Sequence, residues 1–337
     1  MPKNTFPRIL VSGDAEERGF QHGQQLSEEV NRTVEYYARI FDKPSEEILA
    51  KGSFFQKKIH AFEPDYCIEI EALAHGAKLN PLWIYALNAR SEILSMGAME
   101  CTSLYFQDSS LLGQNWDWTS TLEELLVLME IEKTDGHKIL MITEPGMLGK
   151  IGLNSSGLGV CLNILKLNKK LDGVPVHILL RAILDSKSVE EARDKAIISG
   201  LGKASNILVA DAQGNSFDIE FAGDECFYVD PDPVLVHTNH FLARPLNKKS
   251  GDFLSSYARF HTASEKLKTL PPLSLETMKE ILLDQSNAEL PICQSYHRHA
   301  ILEDVGTVCT IVMDLKERQI HLKKGNISEN DFYEVHC

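Results

Sequence analysis

Met99-Glu100-Cys101-Thr102-Ser103-Leu104-Tyr105-Phe106, followed by Leu111-Leu112-Gly113-Gln114-Asn115-Trp116-Asp117-Trp118, is where the chain changes its period. Before it, polar and apolar residues alternate at helical spacing. From Cys101 onward the spacing is two. Thr102, Leu104 and Phe106 then share one face of a strand, and Cys101, Ser103 and Tyr105 the other. The thiol is expected at the first residue of that strand, just after a loop containing Gly97. Gly113 to Asp117 puts polar side chains beside aromatics on a second short strand.

Upstream, residues 14–41 read as a single helix. Asp14 and Glu17 make a capping box, and Phe20, Val30, Val34, Tyr37 and Phe41 form one broad stripe. Gly19 and Gly23, four residues apart, leave a strip where another backbone can approach closely. Helices are expected to open at Ser45, at Pro64 or Asp65, and at Pro81, since proline is tolerated in a first turn. The first hundred residues are expected to be nearly all helix.

Downstream, hairpins are predicted at 125–132 with 138–143 around Asp135-Gly136, and at 150–153 with 157–163. Further strands are expected at 205–211, 216–222 and 234–237, with a last hairpin at 306–314 and 319–322. Helices are expected at 175–185, 188–198 (with a Ser188/Glu191 capping box), 255–267 and 275–283. Antiparallel hairpins separated by blocks of helix predict an α+β fold, with two sheets packed face to face and helices outside.

The chain has 337 residues and a formal net charge of -14. That balance argues against nucleic acid, which requires clustered Lys and Arg. The N-terminus lacks an apolar segment of signal-peptide length, and no run reaches the roughly 18–20 apolar residues of a membrane span. The seven cysteines are scattered, with no Cys-x-x-Cys pair, so neither a disulfide framework nor a zinc site is predicted and a cytoplasmic location is expected. The pairs His237/His240 and His297/His299 lack the converging ligands a zinc site needs and read as structural or surface histidines. Gly146 to Lys150 lacks Walker spacing. No metal and no cofactor are expected.

Five collinear motifs carry a resemblance that covers almost the whole chain. They are Glu17 to Gly23, Cys101-Thr102-Ser103 with Gly113 to Asp117, Gly149 to Gly157, Gly173 to His177, and Val236 to His240. In these the sequence resembles the isopenicillin-N acyltransferase-like family of N-terminal-nucleophile hydrolases, which includes the insect N-β-alanyl-dopamine hydrolases. The resemblance implies a four-layer αββα sandwich and a chain that cuts itself between Glu100 and Cys101. Residues 1–100 would become a small α chain and 101–337 a large β chain holding the catalytic core. Both would remain in one folded unit as an α/β heterodimer, with further dimerisation left open. Cys101 would be the nucleophile and its new α-amino group, unperturbed near ~7.7–8.0, the base. Asp117 would orient that amine. Asn239 and the backbone N–H of Ile164 would donate to the oxyanion.

Two departures from the family pattern stand out. Glu100 replaces the usual glycine before the cysteine, and Leu302 to Gly306 lacks the arginine found before the late strand. With a bidentate guanidinium missing and the chain acidic, the expected activity is hydrolysis of a small N-acyl amine, such as an aminoacyl conjugate of a biogenic amine. The alternatives are an acyl-coenzyme-A-dependent N-acyltransferase and an uncleaved, non-catalytic binding protein of the same fold.

Overall fold

The computed structural model describes residues 4–94, 100–167, 169, 171–223, 225–244, 254–269, 272–299, 302–327 and 331–337. The expected loop glycine, Gly97, and Met99 lie outside them.

The chain begins with a strand that the helical reading missed, β1 (Arg8–Gly13). Helices α1 (Ala15–Gln25), α2 (Ser27–Ile40), α3 (Ser45–Phe62), α4 (Pro64–Ala77), α5 (Pro81–Asn88) and α6 (Arg90–Ile93) follow. The single helix expected over 14–41 is two. Leu26, at φ -118° and ψ 30°, breaks it, and its N–H still caps α1 through the His22 carbonyl. Asp14 and Glu17 form the reciprocal capping box. The predicted stripe holds from Val30 to Phe41, but Phe20 is exposed because it belongs to α1, whose buried side carries Gly19 and Gly23 instead. A Cβ on Gly19 would lie 2.2 Å from the Glu69 carbonyl oxygen, and one on Gly23 2.0 Å from that of Leu73. Glycine therefore lets α1 and α4 touch backbone to backbone.

The rest of the chain supplies β2 (Glu100–Phe106), β3 (Leu111–Thr119), a short α7 (Ser120–Glu123), β4 (Val127–Lys133), β5 (Lys138–Thr143), β6 (Ile151–Asn154) and β7 (Gly159–Ile164). Then come α8 (Val176–Leu184), α9 (Val189–Ile198), β8 (Ser205–Ala210), β9 (Ser216–Phe221), β10 (Cys226–Val229) and β11 (Val234–His237). Helices α10 (Leu254–Thr269) and α11 (Leu275–Leu282) precede β12 (His297–His299), β13 (Glu303–Asp314), β14 (Gln319–Lys324) and β15 (Tyr333–His336). The predicted hairpins are present, but β10, β12 and β15 were not anticipated. Ser188 caps α9 by accepting from the Glu191 N–H, while Glu191 accepts from Lys187, so that box is half formed.

One sheet runs β1-β4-β5-β6-β7-β8-β9-β10 and the other β11-β2-β3-β13-β14-β15 with β12 beside β13. Strands β2 and β3 pack over β7, α8 and α9 lie against the first sheet, and α10 and α11 lie against the second. The result is four layers, αββα. The inter-sheet core holds Tyr105, Leu112, Trp116 and Trp118, and a second core holds Leu104, Phe106 and Leu111 against Ala263, Met278 and Ile281. Each strand of the β2–β3 pair is thus buried on both faces, which is why all nine residues of β3 are buried.

The N-terminal helices are tied into this sandwich. β1 pairs in parallel with β4. Arg18 of α1 and Arg181 of α8 both bind Glu69 of α4, at 2.8 Å each. His22 accepts from the Gly146 N–H, and Asn88 bonds Gly146 and Leu148, so the helices hold the 144–150 loop in place. No helix among the described residues is long and apolar enough to cross a membrane.

Candidate active site

Strand β2 begins at Glu100, so Cys101 is its second residue and the Glu100–Cys101 bond lies inside a strand rather than ahead of one. The antiparallel register sets Cys101 opposite Trp116 and Glu100 opposite Asp117. Alternation then sends these pairs to opposite faces. Cys101, Ser103, Gln114 and Trp116 face β7, where Ser103 donates to Asn163 at 2.9 Å and Gln114 exchanges hydrogen bonds with Leu162. Glu100, Thr102, Asn115 and Asp117 face α10 and α11.

On the inner face the buried thiol is pushed up to about 12 by desolvation and then by the charge of Asp117, against the opposing pull of Lys150, Arg259 and a hydrogen bond from Gln114. Lys150, 2% exposed, sits with Nζ 3.9 Å from the centroid of the Trp116 ring and 3.5 Å from Glu144. Burial and the neighbouring Arg90 lower it to about 7, despite the carboxylate. Arg90 of α6 binds the same Glu144 at 3.1 Å, and Tyr37 of α2 donates to its other oxygen. Residues from both sides of the Glu100–Cys101 bond thus pack together on this face, around Lys150 and Trp116.

The backbone of Cys101 is held just as firmly. Its N–H donates to Asn239 Oδ1 at 2.9 Å, and its carbonyl accepts from Arg259 Nη1 at 2.8 Å and Asn163 Nδ2 at 3.2 Å. The Asn239 amide donates to the Ile164 carbonyl at 3.0 Å. Leu165 donates to Ala204, so antiparallel alternation turns the polar groups of Ile164 away from β8, on the side of Asn239. The structure therefore brings Cys101, Asn239 and Ile164 into one hydrogen-bonded group, in which the amide of Asn239 is occupied by protein.

Asp117 stands on the outer face. Oδ1 accepts from Thr307 at 2.6 Å and Oδ2 is buried without a partner. Desolvation lifts this carboxyl to about 7, outweighing Arg259 and Thr307, with Glu100 adding to the lift. Asp117 makes no hydrogen bond to Cys101 in the uncut chain, where the nitrogen is an amide.

Arg259 was not picked out from the sequence. It is fully buried on the face of α10 that also presents Ser256 and Ala263. Besides the Cys101 carbonyl it binds Thr102 Oγ1 at 2.8 Å, Asn239 Oδ1 at 2.9 Å and Ser255 at 3.2 Å. Its other neighbour is Glu100, at 3.4 Å. Glu100 accepts from Ser255 at 2.8 Å and Gln294 at 2.5 Å. Burial raises its carboxyl, but Arg259 and these two donors more than reverse that and leave it lowered. A charged residue on an otherwise apolar helical stripe was the signal available for Arg259.

His237 is buried against Glu220 at 2.8 Å, and His240 bonds Ser256 and stacks on Tyr257. Among the described residues no cluster of three or more metal-ligating side chains occurs.

A sequence model of the acyl-coenzyme A:6-aminopenicillanic acid acyl-transferase family matches residues 106–329, beginning five residues after Cys101. The acyl-coenzyme A:6-aminopenicillanic-acid-acyltransferase 40 kDa form of Emericella nidulans is 28% identical over 338 residues, covering 96% of this chain and 94% of that protein. Among solved structures, the Caenorhabditis elegans N-acylethanolamine-hydrolyzing acid amidase ortholog is 18% identical, covering 70% of this chain and 100% of its own, with a TM-score of 0.44. Conjugated bile acid hydrolase from Clostridium perfringens is 14% identical, covering 70% and 92%, with a TM-score of 0.48. The chain belongs to the acyl-coenzyme A:6-aminopenicillanic acid acyl-transferase family.

Proposed function

We propose that this protein is a self-processing cysteine amidohydrolase that cleaves the amide of a small amine through an acyl-Cys101 intermediate. The observation that carries the reading is the treatment of Cys101. Buried side chains fasten both its N–H and its carbonyl, and its buried thiol lies on the strand face where Trp116 carries Lys150, an amine of lowered basicity.

Self-cleavage comes first. In the uncut chain the Cys101 nitrogen is an amide and cannot serve as a base, so the thiol proton needs another acceptor. Lys150 fills that role. With the thiol near 12 and the lysine near 7, a free thiolate is a poor intermediate. The proton therefore moves as the sulfur attacks the Glu100 carbonyl carbon. The C–N bond breaks, the nitrogen takes the proton, and water hydrolyses the thioester. The products are a Glu100 carboxylate and a Cys101 α-amine. Departure of Glu100 then exposes the amine to Asp117, the cross-strand partner of Glu100, whose free Oδ2 can accept from it. That amine is the base for substrate turnover, and Asn239 with the Ile164 N–H supports the oxyanion once the amide of Asn239 releases the Ile164 carbonyl.

A second reading, transfer of the acyl group from a coenzyme-A thioester to an amine, is favoured by the name of the Emericella nidulans relative. Both readings share the acyl-cysteine and differ only in whether water or an amine resolves it. Denaturing mass spectrometry tests the shared step: two separate fragments, one ending at Glu100 and one beginning at Cys101, are expected, and one chain for Cys101→Ala. A parent chain that stays whole for days at neutral pH overturns both. A panel of β-alanyl, glycyl and fatty-acyl amides of dopamine and simple amines, run beside an acyl-coenzyme-A donor with amine acceptors, separates them. Faster transfer from the thioester than hydrolysis of any amide decides for the acyltransferase.

A further inference from the structure

The first acyl group that Cys101 carries, on the self-cleavage reading, is the chain's own residue 100. The uncut structure therefore shows the acyl side of the site occupied. Its occupant is a glutamate, and its carboxylate has a built receptor. Arg259 Nη2 lies 3.4 Å away, Ser255 Oγ donates at 2.8 Å, and Gln294 Nε2 donates at 2.5 Å, all to Oε2. Arg259 is 0% exposed and Gln294 7% exposed. The side chain of Glu100 keeps 31% of its surface open, so the receptor faces solvent on one side and a ligand can enter once the residue has gone.

The Gln294 side chain makes no other described hydrogen bond. The main-chain N–H and carbonyl of that residue are engaged by Thr307, which fixes where the amide points. When Glu100 leaves, Arg259 loses its carboxylate partner, and the buried Gln294 and half-buried Ser255 donors lose their acceptor. A buried guanidinium without a countercharge and a buried amide donor without an acceptor are costly, so the emptied receptor favours a new anion. Ser255 and Gln294, from separate segments of the outer face, reach the same carboxylate oxygen as Arg259.

We infer that this receptor is the acyl subsite of the mature enzyme, and that it selects amides whose acyl group bears a carboxylate about as far from the reacting carbonyl as the glutamate carboxylate is. Glutaryl and glutamyl amides are the class. The acidic net charge had pointed to cationic substrates. A receptor in contact with the acyl chain outweighs that distant field, which salt screens over about 8–10 Å. The chemistry is unchanged: Cys101 Sγ forms a bond to the acyl carbon, the amine leaves with the thiol proton, and water releases the dicarboxylic acid.

The inference rests on the self-cleavage reading, and one experiment separates the two. Purified protein is checked by denaturing mass spectrometry, then assayed on glutaryl-p-nitroanilide and on its counterpart with the distal carboxylate replaced by a primary amide. The parent should be cleaved and should favour the glutaryl compound at least tenfold in kcat/KM. Gln294→Leu should lower that preference several-fold and Gln294→Glu should erase it, with each variant's thermal melt confirming a folded protein. A cleaved parent that treats the two compounds alike, or variants that keep the parental ratio, overturns the subsite while leaving self-cleavage intact. A parent that stays whole keeps Glu100 in the receptor and overturns both.

Discussion

The two faces of the β2–β3 pair differ in what they do to the same peptide bond. The inner face is nearly dry and holds the thiol, Trp116 and Lys150. The outer face is ionic, with Glu100 and Asp117 set side by side against Arg259. On the proposed reading the inner face would offer a nucleophile with a proton acceptor, and the outer face would grip the acyl group that is to be transferred. A strand is suited to this division because successive side chains point to opposite faces while the scissile backbone runs between them.

The sharpest way to break the comparison is on the inner face. Lys150→Met should slow self-cleavage by about 10²–10⁴, the usual contribution of a positioned base. Lys150→Arg should fail as badly, since arginine keeps the charge but cannot give up its proton. A time course by denaturing mass spectrometry checks this. If arginine restores the rate, Lys150 contributes only charge and the two faces are more alike than proposed. On the outer face, Arg259→Met strips hydrogen bonds from the Cys101 carbonyl, Thr102, Asn239 and Ser255. A loss of about 3–5 kcal/mol in the urea unfolding free energy is expected, as for one partner removed from a buried ionic network.

Asn239 bridges the faces at the strand's edge. Asn239→Ala should melt within a few degrees of the parent yet lose roughly 10²–10³ in turnover, as an oxyanion donor would. Unchanged turnover would limit it to holding the backbone. The smallest effect concerns Asp117. Its carboxyl is raised from the ordinary 3.8 to about 7 by burial, so the folded state holds a proton that the unfolded chain releases. Stability from this group is therefore present below about 4 and lost as pH rises through 7. In an uncut Cys101→Ala background, Asp117→Asn should leave the melt unchanged at pH 4 and raise it by a few degrees at pH 8. No difference between the two pH values would mean that Asp117 is ionised in the fold and the outer face less dehydrated than its burial implies.

The departure that looked most adverse in sequence takes a different meaning in the fold. Glu100 stands where glycine is usual, and a side chain there could be read only as an obstacle to cleavage. It is instead received by Ser255, Gln294 and Arg259, which lie 155 or more positions away. An arginine does reach Cys101, but it is Arg259 of α10 and not a residue of the segment before Gly306. Local pattern could show neither, since nothing in the order of residues says which helix covers which strand.

The sequence by itself determined the change of period at Cys101, the α+β class, most hairpins, the close approach at Gly19 and Gly23, and the family. The family rests on its collinear motifs; the others rest on short-range physics, since spacing, caps, turn residues and glycine's missing Cβ act within a few residues. Tertiary structure alone decided that β1 joins the sheet as a parallel strand, that Leu26 breaks the first helix, and that Lys150 and Arg259 meet Cys101 from opposite faces. The reason is that the free energy of a buried charge depends on which partners surround it. Those partners are assembled only when the layers close.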